Sequence, residues 1–444
     1  MAAAHVGPVP PRSVFLQWPL LLREGERVLK DLAAWTQINM VELSNFYIEW
    51  GPSRLTGGSP EPAPLALPPG ATFGRLPIPV ADRQLFDSLR STMELVRSKG
   101  FKVACNLAPL YVGPAELTSI ACVDITGSRV PGHHPQLALY GCPNNPHTAR
   151  YAQEMAREFV AWWPLDVLTL NHVEYSLWTH LGLQQLFACF CQACRVRAER
   201  LGIDFAGMER DVRATYESLT TPQAGAARRL LLPSDLLTAF IERPHLAQWL
   251  HFRMESMTEF ITRVVRSARQ AAKEQGRPLE IGLEFQLPTL SRLVGTDFER
   301  LVHLFDWVTP KFPDYLVAAV IPSAAEEIAT KTGSWQVADL RRALRELLEL
   351  GPGPDEYQLI PEPAEGIFYS NAFDRSTIER QLRHIEPLRG KVPVHPYIWQ
   401  YNQDLAGLKA KIVALREQRF EGFFLWCWDR DLTTEALRAS TGIL

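Results

Sequence analysis

The sequence predicts an α/β fold, a (β/α)8 TIM barrel with a helical, cysteine-containing insertion after its fourth strand. Three observations carry this expectation. Short apolar runs with strand character alternate with amphipathic helices along the whole chain, the pattern that puts parallel strands inside a ring of helices. No glycine-rich phosphate fingerprint opens any of the helices, which favours a closed barrel over a dinucleotide-binding sheet. A length of 444 residues suits one barrel with insertions, and no internal repeat or linker divides it, so residues 1–444 read as one catalytic domain.

In order, residues 1–12 are proline-rich and read as a lead-in. SVFLQW (13–18) is a short apolar strand, and EGERVLKDLAAWTQ places Val28, Leu29, Leu32 and Trp35 at helical spacing. INMVELSNF (38–46) is a buried strand from whose end Glu42 and Asn45 project, and the Pro, Gly and Ser cluster over 51–80 is a long loop. DRQLFDSLRSTMELVRSKG is a helix closed by Gly100 at C′, followed by the strand FKVACNLAP (101–109), which presents Asn106. Residues 110–141 lack clear periodicity and contain His133 and His134. CPNNP leads into a helix over 146–163, with Pro146 in its first turn and Asn145 as N-cap.

The fourth strand is 165–171, and helix formers then dominate the insertion, 178–245, before one long helix that ends at Gly276. LEIGLEF (279–285) and DWVTPKF (306–312) are the next strands. Beyond them RRALRELLELG, DRSTIERQLRHIEPLRG and DLAGLKAKIVALREQ read as helices, and YQLIPEP, VPVHPYIWQY and FFLWCWD as strands. That makes nine strands where a barrel needs eight. YQLIPEP, with two prolines in seven residues, is the one to demote to a connecting loop.

The composition, 46% hydrophobic and 21% charged, is ordinary for a globular chain with a large core. A net charge of −3 gives no electrostatic reason to expect nucleic acid or an anionic membrane as partner. No apolar run reaches the roughly 18 residues of a spanning helix. SVFLQWPLLL lacks a basic n-region and a small-residue cleavage site, so a cytoplasmic location is expected and a homo-oligomeric state is left open. Twelve tryptophans exceed what core packing usually uses, and indoles are the faces on which sugars stack.

Chemistry concentrates in LDVLTLNHVEYSLWTHLGLQQLFACFCQAC (165–194). Cys189, Cys191 and Cys194 form C-x-C-x-x-C, and Cys142 lies 47 residues upstream of Cys189 at the start of the preceding helix. Three clustered cysteines and one distant one make a workable four-thiolate site for a structural zinc, the bland reading being buried free thiols. Catalytic groups of such barrels project from the C-terminal strand ends, where LNHVEY puts Asn171, His172 and Glu174. Glu174 suits a general acid, tuned by its neighbour His172, or else a carboxylate satisfied structurally at a loop start. Glycoside hydrolysis needs a second carboxyl, for which Glu284 is the first choice and Glu362 the second. His395, Tyr397 and Trp399 alternate on one strand and Trp426 and Trp428 on the last, all suited to line a sugar pocket or to pack against helices.

The order of features from Cys142 to Cys194 resembles the beta-galactosidases of glycoside hydrolase family 42. That family has a Cys-Pro-Asn-x-Pro start to a helix, a strand ending in Asn-Glu-Tyr and a C-x-C-x-x-C cluster. This chain has CPNNP at 142–146, Glu174-Tyr175 and CFCQAC at 189–194. The resemblance covers roughly 55 residues well and is topological elsewhere. It implies that Glu174 is the acid/base and that Cys142, Cys189, Cys191 and Cys194 hold zinc. Val173 stands where the family has Asn, with Asn171 three residues before Glu174, and the family's seventh-strand nucleophile matches Glu362 only if YQLIPEP is that strand.

The reading is therefore a glycoside hydrolase working by carboxylate acid/base catalysis on a carbohydrate, with substrate contacts from Asn171, His172, Tyr397, Trp399 and Trp428 and no organic cofactor. Two rivals stand beside it. One is a metal-dependent sugar isomerase or epimerase using Glu174, Glu284 and His172 or His395. The other is a carbohydrate-binding barrel without catalysis.

Overall fold

The structure, a computed structural model, describes residues 10–16, 18–35, 38–43, 72–73, 76–77, 83–112, 119–132, 139–177, 182–222, 233–312, 320–350, 359–361, 367–369, 375–400, 405–420 and 422–427. Eight strands form a closed barrel: β1 (Arg12–Leu16), β2 (Met40–Leu43), β3 (Lys102–Leu107), β4 (Val167–Leu170), β5 (Glu280–Phe285), β6 (Trp307–Phe312), β7 (Tyr397–Gln400) and β8 (Phe423–Cys427). Each pairs in parallel with its sequence neighbours and β8 closes on β1, with Val14 opposite Leu425. This is the expected (β/α)8 architecture.

The surplus strand is resolved by pairing. YQLIPEP contributes Leu359–Pro361, which joins Ile367–Tyr369 in a separate two-stranded antiparallel sheet. VPVHPYIWQY supplies β7. Proline content does not separate the two runs, since β6 itself carries Pro310; strand propensity leaves open which sheet a run joins, and pairing decides it. The predicted first strand is also two residues shorter at its C-terminal end, because Trp18 already opens helix α1 (Trp18–Trp35), which breaks at Glu24, where the predicted helix begins.

Period-two alternation sorts the strands. Odd-numbered Leu279, Ile281 and Leu283 of the β5 region face the helices in the main core, while Gly282 and Glu284 face inward. Inside the barrel, Met40, Ala104, Val167, Trp307, Tyr397 and Phe424 form one apolar cluster. Two residues further along their strands come Glu42, Asn106, Thr169 and Thr309, all buried, so the packed layer gives way to a polar one toward the C-terminal ends. Gly282 is part of that design: a Cβ there would lie 2.0 Å from the Trp307 indole, which fills the space its side chain leaves. Gly282→Ala is expected to destabilise the fold by about 1–3 kcal/mol through overpacking, measured as a lower denaturant midpoint with unchanged slope.

The helices end where the sequence says they should. Helix α2 (Arg83–Ser98) runs into Gly100, at φ +87°. Helix α3 (Pro146–Trp162) has Asn145 as N-cap, its Oδ1 accepting from the His147 N–H at 2.9 Å, and Pro146 at its start. Between β4 and β5 lie helices α4 (Gln192–Arg200), α5 (Phe205–Thr220), α6 (Pro233–Glu242) and α7 (His245–Glu274), the last packed along α3 and followed by Gly276 at φ +63°. Among the described residues no helix is long and apolar enough to cross a membrane.

Candidate active site and cysteine centre

The polar layer at the C-terminal ends of β2 to β6 is the place where chemistry is possible. Register brings Asn106 of β3 opposite Thr169 of β4, and Glu284 of β5 opposite Thr309 of β6. Asn106 Nδ2 donates to Glu284 Oε1 at 2.8 Å. Lys311, at the end of β6 and only 1% exposed, stands 3.8 Å from Glu284 Oε2 and donates to Asn171 Oδ1. A lysine buried this deeply needs such partners, because an uncompensated charge in a dry interior costs several kcal/mol, on the order of the effective desolvation penalty per ion.

Beyond β4 the chain turns sharply. His172 has φ +50°, in the left-handed region that non-glycine residues rarely occupy. Its N–H donates to Asn171 Oδ1 at 2.7 Å, and its carbonyl accepts from the Tyr140 hydroxyl at 3.0 Å. Its ring lies 5.0 Å from that of Tyr111. The turn carries Glu174 into the barrel mouth, 2% exposed. Glu174 Oε1 accepts from Gln286 Nε2 at 2.8 Å and lies 3.3 Å from His172 Nδ1. Its Oε2 has no hydrogen-bond partner among the described residues. Backbone strain held in place by several partners is a mark of functional sites.

The carboxyls are pushed apart electrostatically. Burial raises Glu174, but the His172 hydrogen bond, the Lys311 charge and the Gln286 amide outweigh it and hold this carboxyl below its ordinary range. Burial and the Lys311 charge lower His172, so near neutral pH its imidazole is uncharged and meets Glu174 as a hydrogen-bonding neutral ring. Burial pushes Glu284 up to about 7 despite the opposing Lys311 charge. Glu42, wholly buried beside Glu284, is raised well above the carboxylate range by burial and by the Glu284 charge. The carboxyls thus lie on opposite sides of their ordinary range, Glu174 below it and Glu284 and Glu42 above it.

Of the residues expected from sequence, Glu174, Glu284, Asn171 and His172 meet here. Tyr397 is fully buried, in register with Lys311 of β6, and its ring stacks on Phe424 with centroids 5.9 Å apart as part of the apolar cluster. His395 lies at the N-terminal end of β7, where burial lowers it to about 4. Trp399 is paired with Trp426 between β7 and β8, while Trp428, Glu362, Asn45, His133 and His134 lie outside the described residues. Lys311 and Gln286 are additions that the sequence reading missed. The one available signal for Lys311 was a charge on the inward side of an otherwise apolar strand.

A second centre lies nearby. Cys142, Cys189, Cys191 and Cys194 place their sulfur atoms within 4.8 Å of one another, with Cys142 Sγ 3.5 Å from Cys194 Sγ and 3.4 Å from Cys191 Sγ. Thiolates about 2.3 Å from a tetrahedral zinc would stand roughly 3.8 Å apart, so the four sulfurs are close to the size the ion needs. The surroundings suit charged sulfur: the Val123 N–H points at Cys189 Sγ and Asn144 Nδ2 at Cys194 Sγ, each at 3.3 Å. The donor set therefore fits a soft divalent metal. A fifth cysteine, Cys122, is buried against Cys142 and Cys189 and gave no spacing signal.

No protein-family model matches this sequence, and no curated protein does. Among solved structures, the PgaB (BpsB) glycoside hydrolase domain from Bordetella bronchiseptica is similar over 97% of this chain and 98% of its own, with a TM-score of 0.53 and 13% identity. A beta-galactosidase from the Antarctic haloarchaeon Halorubrum lacusprofundi matches over 98% of this chain with a TM-score of 0.49 and 14% identity, and this chain spans 58% of its length. At these identities the likeness is one of fold.

Proposed function

We propose that the chain is a glycoside hydrolase in which Glu284 and Glu174 supply the two carboxyls of the reaction. The observation that carries the reading is the pairing itself: two buried carboxyls at the ends of adjacent strands β4 and β5, one held ionised and the other raised to about 7. Glu284, raised to about 7 and so still partly protonated at neutrality, donates its proton to the departing glycosidic oxygen. Glu174, with Oε1 held by Gln286 and His172, offers Oε2 to the anomeric carbon or to a water beside it. Asn171 and His172 contact sugar hydroxyls at the rim. The similarity of fold to a glycoside hydrolase domain supports the class of reaction.

The opposite division of labour, with Glu174 as acid, is favoured by the resemblance of 142–194 to family 42, in which the fourth-strand Glu is the acid/base. A screen of aryl glycosides against the wild type tests the class itself. Release of the phenol from at least one of them is expected, and none from any would end the hydrolase reading. A metal-dependent isomerase is disfavoured by Lys311, whose charge 3.8 Å from Glu284 competes with any divalent ion there.

We further propose that Cys142, Cys189, Cys191 and Cys194 hold a structural zinc. One zinc per chain is expected by elemental analysis, and Cys194→Ser should lose it. An ion present at a hundred times its dissociation constant stabilises a fold by about 2.7 kcal/mol, so the stripped protein should melt several degrees lower and recover on adding zinc.

A further inference from the structure

Helix α7 lays one face against the cysteine centre. Ser256, 1% exposed, accepts at 3.0 Å from the same Asn144 amide that points at Cys194 Sγ. One turn earlier, Arg253 is also 1% exposed, which is rare for a residue that can never shed its charge. Its guanidinium carbon lies 4.5 Å from the centres of both the Tyr175 and the Trp249 rings, so it is clamped between two aromatic faces. Nη1 donates to the Leu186 carbonyl at 3.2 Å, just before Cys189 in the chain. Nε and Nη2 have no hydrogen-bond partner among the described residues. No carboxylate pairs with it among the described residues. The acidic groups nearest to it are the phenols and thiols of Tyr175, Tyr140, Cys122 and Cys189.

With every thiol protonated, this arrangement buries a lone cation, which is strongly unfavourable. A divalent ion held by four thiolates reverses the balance, because the centre then carries two negative charges in excess. The cation and the centre each supply what the other lacks. We propose that Arg253 is the counter-charge of a dianionic four-thiolate metal centre, held in place by Tyr175 and Trp249. This rests on the zinc reading of the four cysteines. Through Tyr175, the residue that follows Glu174, the same guanidinium also ties the centre to the carboxyl-bearing turn.

The test is a cobalt(II) titration read by the thiolate-to-metal charge-transfer absorption, with zinc affinity taken by back-competition. Arg253→Met keeps the apolar stem and removes the charge. It is expected to bind both ions about 10- to 100-fold more weakly, the range seen for partners just outside a metal's ligand shell. Arg253→Lys keeps the charge and is expected to stay within a few-fold of wild type. A wild type that binds neither ion overturns the zinc reading and this inference together. Wild-type affinity in Arg253→Met overturns this inference alone. Should Arg253→Met fail to fold, Arg253→Lys decides by itself: near-wild-type affinity supports the counter-charge, and a loss of about 10- to 100-fold overturns it, since packing of the guanidinium rather than its charge would then be what matters.

Discussion

Glu174→Gln and Glu284→Gln are each expected to lower kcat/KM by about 100- to 10,000-fold on any aryl glycoside that the wild type cleaves, or about 3–5 kcal/mol of transition-state stabilisation. The two should differ in how the loss depends on the leaving group. If Glu284 delivers the proton, its variant keeps most of its rate on dinitrophenyl glycosides, whose phenolate departs unprotonated, and loses most on unactivated ones. Glu174→Gln, lacking the group that attacks or activates water, stays slow on both. Both amides preserve shape, and Gln286 and Asn106 remain to hold them, so the folded state should survive. The reverse pattern, with the dinitrophenyl substrate rescuing Glu174→Gln, would return the acid role to Glu174. Equal activity of either variant and wild type removes that residue from the chemistry.

How much of this was legible in the sequence depends on the range of the interaction that decides each residue. The turn after β4 was legible because an apolar run followed by Asn171, His172 and Glu174 changes character within a few positions. Glu284 was legible because alternation in LEIGLEF puts Leu279, Ile281 and Leu283 on one face and leaves Gly282 and Glu284 on the other. The same alternation told which way Tyr397 points but not what its ring packs on, which is Phe424 of the neighbouring strand. Lys311 was missed for a different reason. Most lysines near a strand end run out to solvent, and this one stays inside only because Asn171 and Glu284 come from two other strands. Arg253 and Cys122 share that difficulty, since Tyr175 and Leu186 for the one and Cys142 and Cys189 for the other lie on distant segments. YQLIPEP had the propensity of a strand, and propensity does not say which sheet a strand joins.

Lys311→Met should move both limbs of the pH–rate profile upward. In the wild type the acid limb follows Glu174, held below the usual carboxylate range, and the basic limb follows Glu284 at about 7. The Lys311 charge lowers both carboxyls, so its removal raises both. An opposite charge at this distance lowers a carboxyl by about 1–3 units, which sets the expected displacement of the basic limb. The same shift has a signature in stability that needs no substrate. A carboxyl with a folded-state pKa above its unfolded value stabilises the fold below the unfolded value and loses that contribution as pH rises through the folded one, by about 1.36 kcal/mol per unit of difference. For Glu284 that window runs from the ordinary carboxylate range to about 7 in the wild type, and it should extend to higher pH in the variant. Melting temperature should therefore keep falling above neutrality in Lys311→Met, where this contribution in the wild type has levelled off. If kinetic and melting profiles both coincide with wild type, Lys311 does not act on Glu284. If only the melting profile shifts, Lys311 tunes a buried carboxyl that takes no part in the reaction, and the acid must be sought elsewhere in the barrel mouth.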